Sequence, residues 1–313
     1  MELYNIGYVS WWESQSYYHA LAHLGREGVI ICAPDSAYVC LGLHDDLKQE
    51  VDMEFCQARQ IPILRRETGG GVVYLDSKQI FYQLVLKEDN AKLPFRRERF
   101  YPIFLQAPIE VYRNLGVPAE YKPPADLVAK GAKCSGNAAG DIGSGVAFVG
   151  NILLDFDYFT MSNLLKSPNS RYRESLGKSM RNNMTTVSDW SNKLPSYDHI
   201  AGLLADEYSK ILGPLTLGEI DEELRETALM FRDKLTSPRW LEKRGRKTFN
   251  RLVKIAEGLY LHAGRTKNTH FVALVRDGIV EEFYLIDSEG QAERKKEKYQ
   301  GLPLTELPLE ANG

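Results

Sequence analysis

Short apolar runs alternate with amphipathic segments through the first two thirds of the chain. The runs favour β-branched and aromatic residues, as strands do, and lie at 29–32, 38–41, 61–64, 72–74, 79–86 and 146–154. Apolar side chains at helical spacing predict helices over 11–25, 52–60, 97–115 and 198–211, the first of which opens with a capping box of Ser10 and Glu13. Strands mixed with flanking helices predict an α/β fold, of the α+β kind, around a mixed sheet.

Beyond residue 250 the pattern changes to the two-residue alternation of hairpin strands. This alternation covers 252–263 and 269–275, a turn follows at Asp277-Gly278, and 280–286 continues the sheet. A chain of 313 residues is long enough for one domain of ordinary size and one small domain. We therefore predict a larger domain over 1–220 and a small α+β domain over 225–313.

The most informative segment for chemistry is the run 65–76, Arg-Arg-Glu-Thr-Gly-Gly-Gly-Val-Val-Tyr-Leu-Asp. Three adjacent glycines carry a high entropic cost, and they are tolerated where a bare backbone must bend against a ligand. Two arginines beside exposed amides suit an anionic or carboxylate ligand. An ordinary Gly-rich turn is the alternative. The run matches neither the Walker loop nor the dinucleotide fingerprint, because a strand follows it and the required spacings are absent.

A second segment, Gly131-Ala132-Lys133-Cys134-Ser135-Gly136-Asn137, precedes the apparent loop 139–145 and the strand 146–154. A lysine before a Ser-Gly step can project from the end of a strand into a cleft, where it would neutralise an acyl carboxylate or a phosphate. Taken alone, a lysine of this kind is more often a solvated surface residue.

Together the two segments resemble the motifs of the lipoate–protein ligase family, whose relatives include biotin ligases and lipoyl or octanoyl transferases. The family carries Arg-Arg-x-Ser/Thr-Gly-Gly-Gly-x-Val, found here at 65–73, and then Gly-x-Lys-Ile-Ser-Gly, found here at 131–136 with Cys134 in place of Ile. The segment 126–128 resembles the family's Asn-Asp-Leu-Val with Ala125 in place of Asn, and 178–181 resembles its Lys-x-x-Ser stretch. More weakly, 237–250 is similar to the start of the family's C-terminal accessory domain.

The resemblance implies a catalytic fold similar to that of class II aminoacyl-tRNA synthetases and biotin ligases. It also implies two steps: lipoate and ATP, with Mg²⁺, give lipoyl-adenylate, and a lysine of a lipoyl-acceptor domain then takes the lipoyl group. By the same resemblance Lys133 is the catalytic residue and Asp126 a Mg²⁺ ligand. The lipoate-binding residues implied are Arg66, Thr68, Gly69, Gly70, Gly71, Val73, Ser135, Gly136 and Asn137, and the nucleotide-binding residues are Tyr74, Asp76, Asp126 and Lys178.

Two departures from the family pattern bear on specificity. Leu75-Asp76 stands where the family usually has His-Asp, and 77–83 replaces its Gly-Asn-Leu-Asn-Tyr-Ser stretch. Three alternatives therefore stay open. A transferase would use Cys134 as a thioester-forming nucleophile, although on a strand this thiol points away from the face of Lys133. A biotin ligase lacks support because its Gly-Arg-Gly-Arg-x-Gly loop is missing. A non-catalytic binder of lipoylated protein would not need the intact Lys133 motif.

Composition and charge limit the partners. Hydrophobic content of 43% and charged content of 26% are those of a soluble globular protein, and no apolar run approaches the ~20 residues that span a bilayer. The first residues do not resemble a signal peptide, and the four cysteines form no Cys-x-x-Cys pair, so we expect reduced thiols in the cytoplasm. The net charge, 39 − 42 = −3, gives no reason to expect nucleic acid as a partner.

The segment 234–254 is nevertheless strongly basic. It carries eight cations against the single acid Glu242, namely Lys234, Arg239, Lys243, Arg244, Arg246, Lys247, Arg251 and Lys254. One interpretation is a solvated face of a linker, and the other is a surface that steers an acceptor domain with an acidic surface.

Overall fold

The computed structural model describes residues 1–94, 96, 99–243, 245, 250–265, 269–287 and 291–307. The strands are β1 (Glu2–Val9), β2 (Gly28–Pro34), β3 (Tyr38–Leu41), β4 (Ile63–Arg65), β5 (Val73–Leu75), β6 (Gln79–Lys87), β7 (Ala119–Lys122), β8 (Asp126–Ala129), β9 (Ala132–Ser135), β10 (Asn137–Ile142), β11 (Gly145–Leu153), β12 (Thr216–Leu217), β13 (Arg251–Ala256), β14 (Leu259–Arg265), β15 (His270–Arg276), β16 (Ile279–Ile286) and β17 (Ala292–Arg294). The helices are α1 (Glu13–His23), α2 (Leu47–Glu50), α3 (Met53–Ala58), α4 (Phe100–Phe104), α5 (Gln106–Asn114), α6 (Tyr158–Leu164), α7 (Ser170–Asn183), α8 (Tyr197–Leu212), α9 (Glu222–Thr236), α10 (Pro238–Leu241) and α11 (Lys296–Tyr299).

A six-stranded mixed sheet in the order β10-β11-β6-β2-β1-β12 forms the centre of the molecule. Its strands β1 and β2 run parallel, and β2, β6, β11 and β10 follow as antiparallel neighbours. Helices α5 and α8 pack together and share one apolar cluster with the sheet, while α1 shares a second cluster with α9. The predicted mixed α/β class is confirmed. Among the described residues, no helix is long and apolar enough to cross a membrane.

Two small sheets carry the sequence motifs. In the first, β3 lies between β4, which is parallel to it, and β5, which is antiparallel, so the glycine-rich segment links the two outer strands. In the second, β7, β8 and β9 form an antiparallel meander that ends in the Lys133 segment. Each motif therefore leaves a strand end beside the central sheet.

The C-terminal strands β13 to β17 form an antiparallel meander, and the turn expected at Asp277-Gly278 is present, with positive φ angles at both residues. One face of this sheet packs on α7, where Tyr172 and Leu176 share an apolar cluster with Leu259 and Leu261. Helix α9 packs instead on α1, within the larger part of the chain. The boundaries 1–220 and 225–313 remain a prediction.

The predicted elements occur near their expected positions, with two differences, and the structure adds elements that were not predicted, among them β1, α7 and α9. The long helix expected over 97–115 is divided into α4 and α5, and residues 97 and 98 lie outside the described chain. Pro108 explains the division, because it has no N–H to donate to the carbonyl of Phe104. The expected loop 139–145 was wrong for its first part, since 139–142 belongs to β10 and pairs with β11 through a turn at Gly143.

Candidate active site

Lys133 and Asp126 form a largely buried ion pair on neighbouring strands. The Nζ atom of Lys133 lies 2.8 Å from Oδ1 of Asp126, and the side chains are 19% and 3% exposed. The other oxygen, Oδ2, accepts a hydrogen bond of 2.8 Å from the backbone N–H of Glu257, in the turn between β13 and β14. The C-terminal sheet therefore contacts the expected catalytic pair directly.

The arrangement around Asp126 does not fit the predicted metal site. Both carboxylate oxygens already accept hydrogen bonds, from Lys133 and from Glu257. Within the part of the chain that the structure describes, no group of three or more His, Cys, Asp or Glu side chains lies together. Mg²⁺ usually needs several hard oxygen ligands, so the role of Asp126 as a ligand stays a prediction without support from its neighbours.

Arg66 holds the glycine-rich loop rather than facing open space. Its guanidinium donates to the carbonyl oxygen of Gly69 at 2.7 Å, of Gly71 at 3.0 Å and of Cys40 at 3.1 Å. The residue is 5% exposed. This differs from the expected contact with a lipoate carboxylate or α-phosphate, because the loop carbonyls already take up the donors. The ligand-binding role of Arg66 remains a prediction.

The three glycines of the loop differ in how closely other atoms approach them. Gly70 has a φ of +91°, and its carbonyl oxygen would be 1.9 Å from a Cβ at Gly42, so two backbones meet there without side chains. Around Gly69 and Gly71 a Cβ would have no described neighbour within 4 Å. The loop is thus fixed at Gly70 and open at Gly69 and Gly71. A ligand can lie close to a backbone only where no side chain intervenes, and these two positions meet that requirement.

Arg65 connects the motif to the segment after α9. This fully buried side chain donates to the carbonyl oxygens of Asp45 at 2.6 Å, Trp240 at 2.9 Å and Leu241 at 2.5 Å, and burial lowers its pKa. In return the indole N–H of Trp240 donates to the carbonyl oxygen of Arg65 at 2.9 Å. The segment that includes α10 is therefore bound to the first arginine of the motif.

His19, which sequence reasoning missed, supports the start of the loop. Its Nε2 accepts the backbone N–H of Glu67 at 3.1 Å, so its Nδ1 carries the proton that is donated to the carbonyl oxygen of Gln15 at 2.7 Å. Burial lowers the pKa of this imidazole to about 4, which keeps it neutral at pH 7. The available signal was a polar residue on the apolar face of α1, one helical turn after Gln15.

A chain of hydrogen bonds joins the two motifs across the central sheet. Asn151 accepts the Gly136 N–H at 3.0 Å and donates to Gln79 at 2.7 Å, and Gln79 donates to the Tyr74 carbonyl oxygen at 3.2 Å. Ser135 donates to the Asn151 carbonyl oxygen at 2.7 Å. The structure thus brings together the predicted residues of the Lys133 segment and of β5.

Tyr82 and Gly150 extend this network to Asn137. The Tyr82 hydroxyl donates to Oδ1 of Asn137 at 2.6 Å and lies 3.1 Å from the Ser135 hydroxyl. A Cβ at Gly150 would approach the same Asn137 oxygen to 2.2 Å, so only glycine fits opposite it on β11. Tyr82, Gly150, Gln79 and Asn151 were not predicted as site residues, since each is an ordinary strand residue in the sequence.

The Cys134 thiol is buried in the large apolar cluster beneath the sheet, with Phe148 and Ile152 among its members. Burial raises the pKa of this thiol to about 12, so very little thiolate exists at pH 7. The other three cysteines, Cys32, Cys40 and Cys56, are buried too. The structure therefore presents Lys133, and none of the four thiols, at the surface of the site.

Of the remaining predicted residues, Tyr74 and Asp76 interact with each other, whereas Lys178 lies elsewhere. Lys178 on α7 pairs with Glu282 of β16 at 2.9 Å, so it faces the C-terminal sheet. Tyr74 packs edge-on against Phe156, and burial raises the pKa of its hydroxyl. Asp76 accepts the N–H of Lys78 at 3.0 Å, and burial raises its carboxyl pKa.

Two residues of the predicted substrate-binding set lie near the glycine-rich loop. Thr68 is buried where it faces Gly140 of β10, and Val73 lies in β5, paired with Cys40.

Several cations of the basic segment already have partners. Lys234 pairs with Glu67, Arg251 with Glu50 and Lys254 with Glu257. Arg244, Arg246 and Lys247 lie outside the described residues. The internal ion pairs reduce the positive charge that this segment offers to a partner, so the predicted steering surface is weaker than the sequence indicates.

The chain is similar in sequence to proteins named as octanoyltransferases and as lipoate–protein ligases. The sequence is 24% identical to octanoyltransferase LipM of Halalkalibacterium halodurans over 216 residues, which covers 60% of this chain and 78% of that protein. It is 30% identical to a lipoate–protein ligase of Streptococcus pyogenes over 175 residues, 55% of this chain and 48% of that protein. The relatives thus include both reaction types.

The fold is similar to that of a solved bipartite lipoate protein ligase from Thermoplasma acidophilum. The TM-score is 0.68 at 22% identity, over 79% of this chain and 98% of that one. The model of the lipoyl protein ligase A/B catalytic domain matches residues 8–209, which include both motifs and the whole polar network. This chain belongs to the lipoyl protein ligase A/B catalytic-domain family.

Proposed function

We propose that the chain is an ATP-dependent lipoate–protein ligase. The lipoate carboxylate attacks the α-phosphorus of ATP, which forms lipoyl-adenylate and releases pyrophosphate. The amine of an acceptor lysine then attacks the carbonyl carbon, so that an amide forms, the bond to AMP breaks and one proton is released. The first step is needed because a carboxylate is a poor electrophile, whereas AMP is a good leaving group.

Lys133 would stabilise the charge that develops in both steps. Its ammonium, now held by Asp126, lies at the edge of the polar network and is partly exposed. A cation in a mostly buried site stabilises carbonyl and phosphate oxygens more strongly than it would in water. The open backbone at Gly69 and Gly71 would let the acyl-adenylate lie close to the loop, which Arg66 and His19 keep in place.

One observation carries the choice of a ligase over a thioester mechanism. All four cysteines are buried, and burial in an apolar cluster raises the pKa of the Cys134 thiol, the nearest to Lys133 in the sequence, to about 12. A thioester route needs an accessible thiolate. Lys133, the residue before Cys134, is partly exposed, and its ammonium can stabilise the negative charge that develops on the acyl and phosphate oxygens.

Octanoyl transfer is the second candidate, because relatives with this name match a larger share of their own length than the ligase does. The two reactions differ in their donors. Lipoate with ATP and Mg²⁺ should release pyrophosphate, give a hydroxamate with hydroxylamine, and add one lipoyl mass to an apo lipoyl domain. Transfer from octanoyl acyl carrier protein without ATP, with no pyrophosphate released, would establish the transferase instead.

The acceptor is proposed to be a lipoyl domain, and the reaction to take place in the cytoplasm. The E2 lipoyl domain of Thermoplasma acidophilum, which is named with the ligase of similar fold, is a practical first member of a panel of apo acceptors. Tight binding of lipoylated domains without any turnover would identify a non-catalytic binder. That result would refute both enzymatic proposals.

A further inference from the structure

A pocket of about 450 Å³ opens at the tip of the β8–β9 hairpin, outside the polar network of the site. Its walls include two cations, Lys130 and Arg181, two aromatic rings, Tyr158 and Trp190, and one acid, Asp189. Ala132 and Arg181 of its wall lie in segments that resemble family motifs, but the proposed chemistry assigns no role to this pocket. The two cations at one pocket suit an anionic side chain.

Lys130 occupies a backbone conformation that few lysines adopt. Its φ is +48°, in the left-handed region, and Gly131 follows with a φ of +82°. For a residue with a Cβ this conformation costs about 1 kcal/mol or more. The turn places the Lys130 ammonium over the ring of Trp190, 5.1 Å from its centre. A cation is thus held at the pocket at a conformational cost that an ordinary Asn-Gly turn would avoid.

The acid in the pocket is already engaged by its own segment. Asp189 accepts the N–H of Thr186 at 2.7 Å and the hydroxyl of Thr185 at 3.0 Å, while the Trp190 indole donates to that hydroxyl at 2.9 Å. Among the described residues, Lys130 and Arg181 form no ion pair. The charged groups at the pocket sum to one net positive charge, and neither cation has a carboxylate partner among the described residues.

The pocket adjoins the backbone of the expected catalytic lysine. Thr185, which forms part of its wall, donates its N–H to the carbonyl oxygen of Lys133 at 2.8 Å, and Met184 forms a β-bridge with Lys133. A protein that presents a lysine to an acyl group at Lys133 would therefore bring neighbouring residues to this pocket. A nucleotide is a poorer occupant, because one net positive charge offsets a single carboxylate but not several phosphate charges.

We infer that this pocket binds an aspartate or glutamate side chain of the acceptor protein, near the lysine that becomes modified. The inference rests on the proposed ligase function and states which residues recognise the acceptor protein. Lys130 and Arg181 pair with the carboxylate, and the rings of Tyr158 and Trp190 pack against its aliphatic stem. The pocket selects the acceptor and takes no part in adenylation.

The experiment separates acceptor binding from adenylation in the full-length chain. Lys130→Gln and Arg181→Gln are compared with Lys193→Gln, which removes the same charge from an exposed residue three positions after Trp190 and outside the pocket. Adenylation is followed as hydroxamate formation without acceptor, and KM and kcat are measured with the apo lipoyl domain that the wild-type chain modifies. Acidic residues near the acceptor lysine are changed to Asn or Gln one at a time.

Either pocket variant should raise the KM for the acceptor about 3-fold to 10-fold, with adenylation and Lys193→Gln unchanged. One acceptor variant should raise the KM similarly with the wild-type chain and cause no further rise with Arg181→Gln. An unchanged KM, a fully additive combination, or a loss of adenylation without acceptor would overturn the inference. A wild-type chain that forms no adenylate would instead refute the proposed function itself.

Discussion

Replacing Lys133 by Met tests whether this lysine acts in catalysis or only compensates the charge of Asp126. The ion pair at 2.8 Å corresponds to a gross Coulomb attraction of about 6 kcal/mol at an effective dielectric constant of ~20, most of which desolvation cancels. Removal of one partner from a fully buried pair costs ~3–5 kcal/mol. Lys133 is 19% exposed, and Lys254 also attracts Asp126, so we expect a loss of about 1–3 kcal/mol.

The second variant, Lys133→Met with Asp126→Asn, removes the uncompensated charge. The Asn carbonyl can still accept the N–H of Glu257, so most of the lost free energy of unfolding should return. Adenylation should not return, because a cation at the developing charge contributes about 10²-fold to 10³-fold to the rate. Lys122→Met is the matched control. Lys122 is the cross-strand partner of Asp126 on β7, but its ammonium donates to the Glu257 carbonyl oxygen at 3.0 Å, whereas the ammonium of Lys133 pairs with the Asp126 carboxylate.

Urea unfolding followed by circular dichroism gives the stabilities, and hydroxamate formation with lipoate and ATP gives adenylation. If the double variant recovers its adenylation together with its stability, Lys133 serves only to neutralise Asp126 and the catalytic assignment is refuted. The same conclusion follows if Lys133→Met folds and retains the wild-type rate.

Three further predictions concern the surroundings of the site. Cys134→Ser should keep most of the lipoylation rate in a mass-shift assay, whereas an inactive, folded variant would restore the thioester mechanism. The pKa of His19 is lowered from 6.5 to about 4, so neutral His19 contributes up to about 3 kcal/mol to the free energy of unfolding above pH 6.5, and this contribution is lost as the pH falls toward 4. In His19→Gln the free energy of unfolding should therefore depend less steeply on pH between 6.5 and 4, as measured by urea unfolding at each pH. A chain ending at residue 220 should aggregate more than one ending at 243. Both lose the sheet that covers α7, but only the shorter chain also exposes the face of α1 that α9 covers. Equal aggregation of the two in size-exclusion chromatography would contradict this packing.

Three strands of the central sheet, β2, β6 and β11, were predictable because their apolar runs are local, whereas β1 and β12 were not predicted. The strand β6 and the helix α8 agree with the apolar pattern to within one residue at each end. The break between α4 and α5 was also encoded locally, by Pro108, although the apolar spacing continued across it. The edge strand β10 was missed because its small residues, such as Ala138 and Gly140, carry no strand signal, and only pairing with β11 makes it a strand.

The candidate site was predictable as two motifs but not as a set of contacts. The glycine run and Lys133 could be found because their residue types are unusual at that spacing. The hydrogen-bond partners of the two arginines could not be predicted from the sequence. Arg65 and Arg66 were expected to bind an anion, yet both donate to backbone carbonyl oxygens, because a strand end and a tight loop leave such acceptors without partners.

The contact between the C-terminal sheet and Asp126 shows why the remaining contacts of the site could not be predicted from the sequence. The donor is the backbone N–H of Glu257, which any residue except proline would provide, so no residue type marks the position. Asp126 therefore has two partners of different kinds, a side chain from its own hairpin and a main-chain group from 131 positions away in the sequence. Any movement of the β13–β14 turn changes the hydrogen bonding of Asp126 and, through Asp126, the position of the Lys133 ammonium. The freedom of the proposed catalytic lysine is thus tied to the placement of the C-terminal sheet, by a contact that only the folded chain reveals.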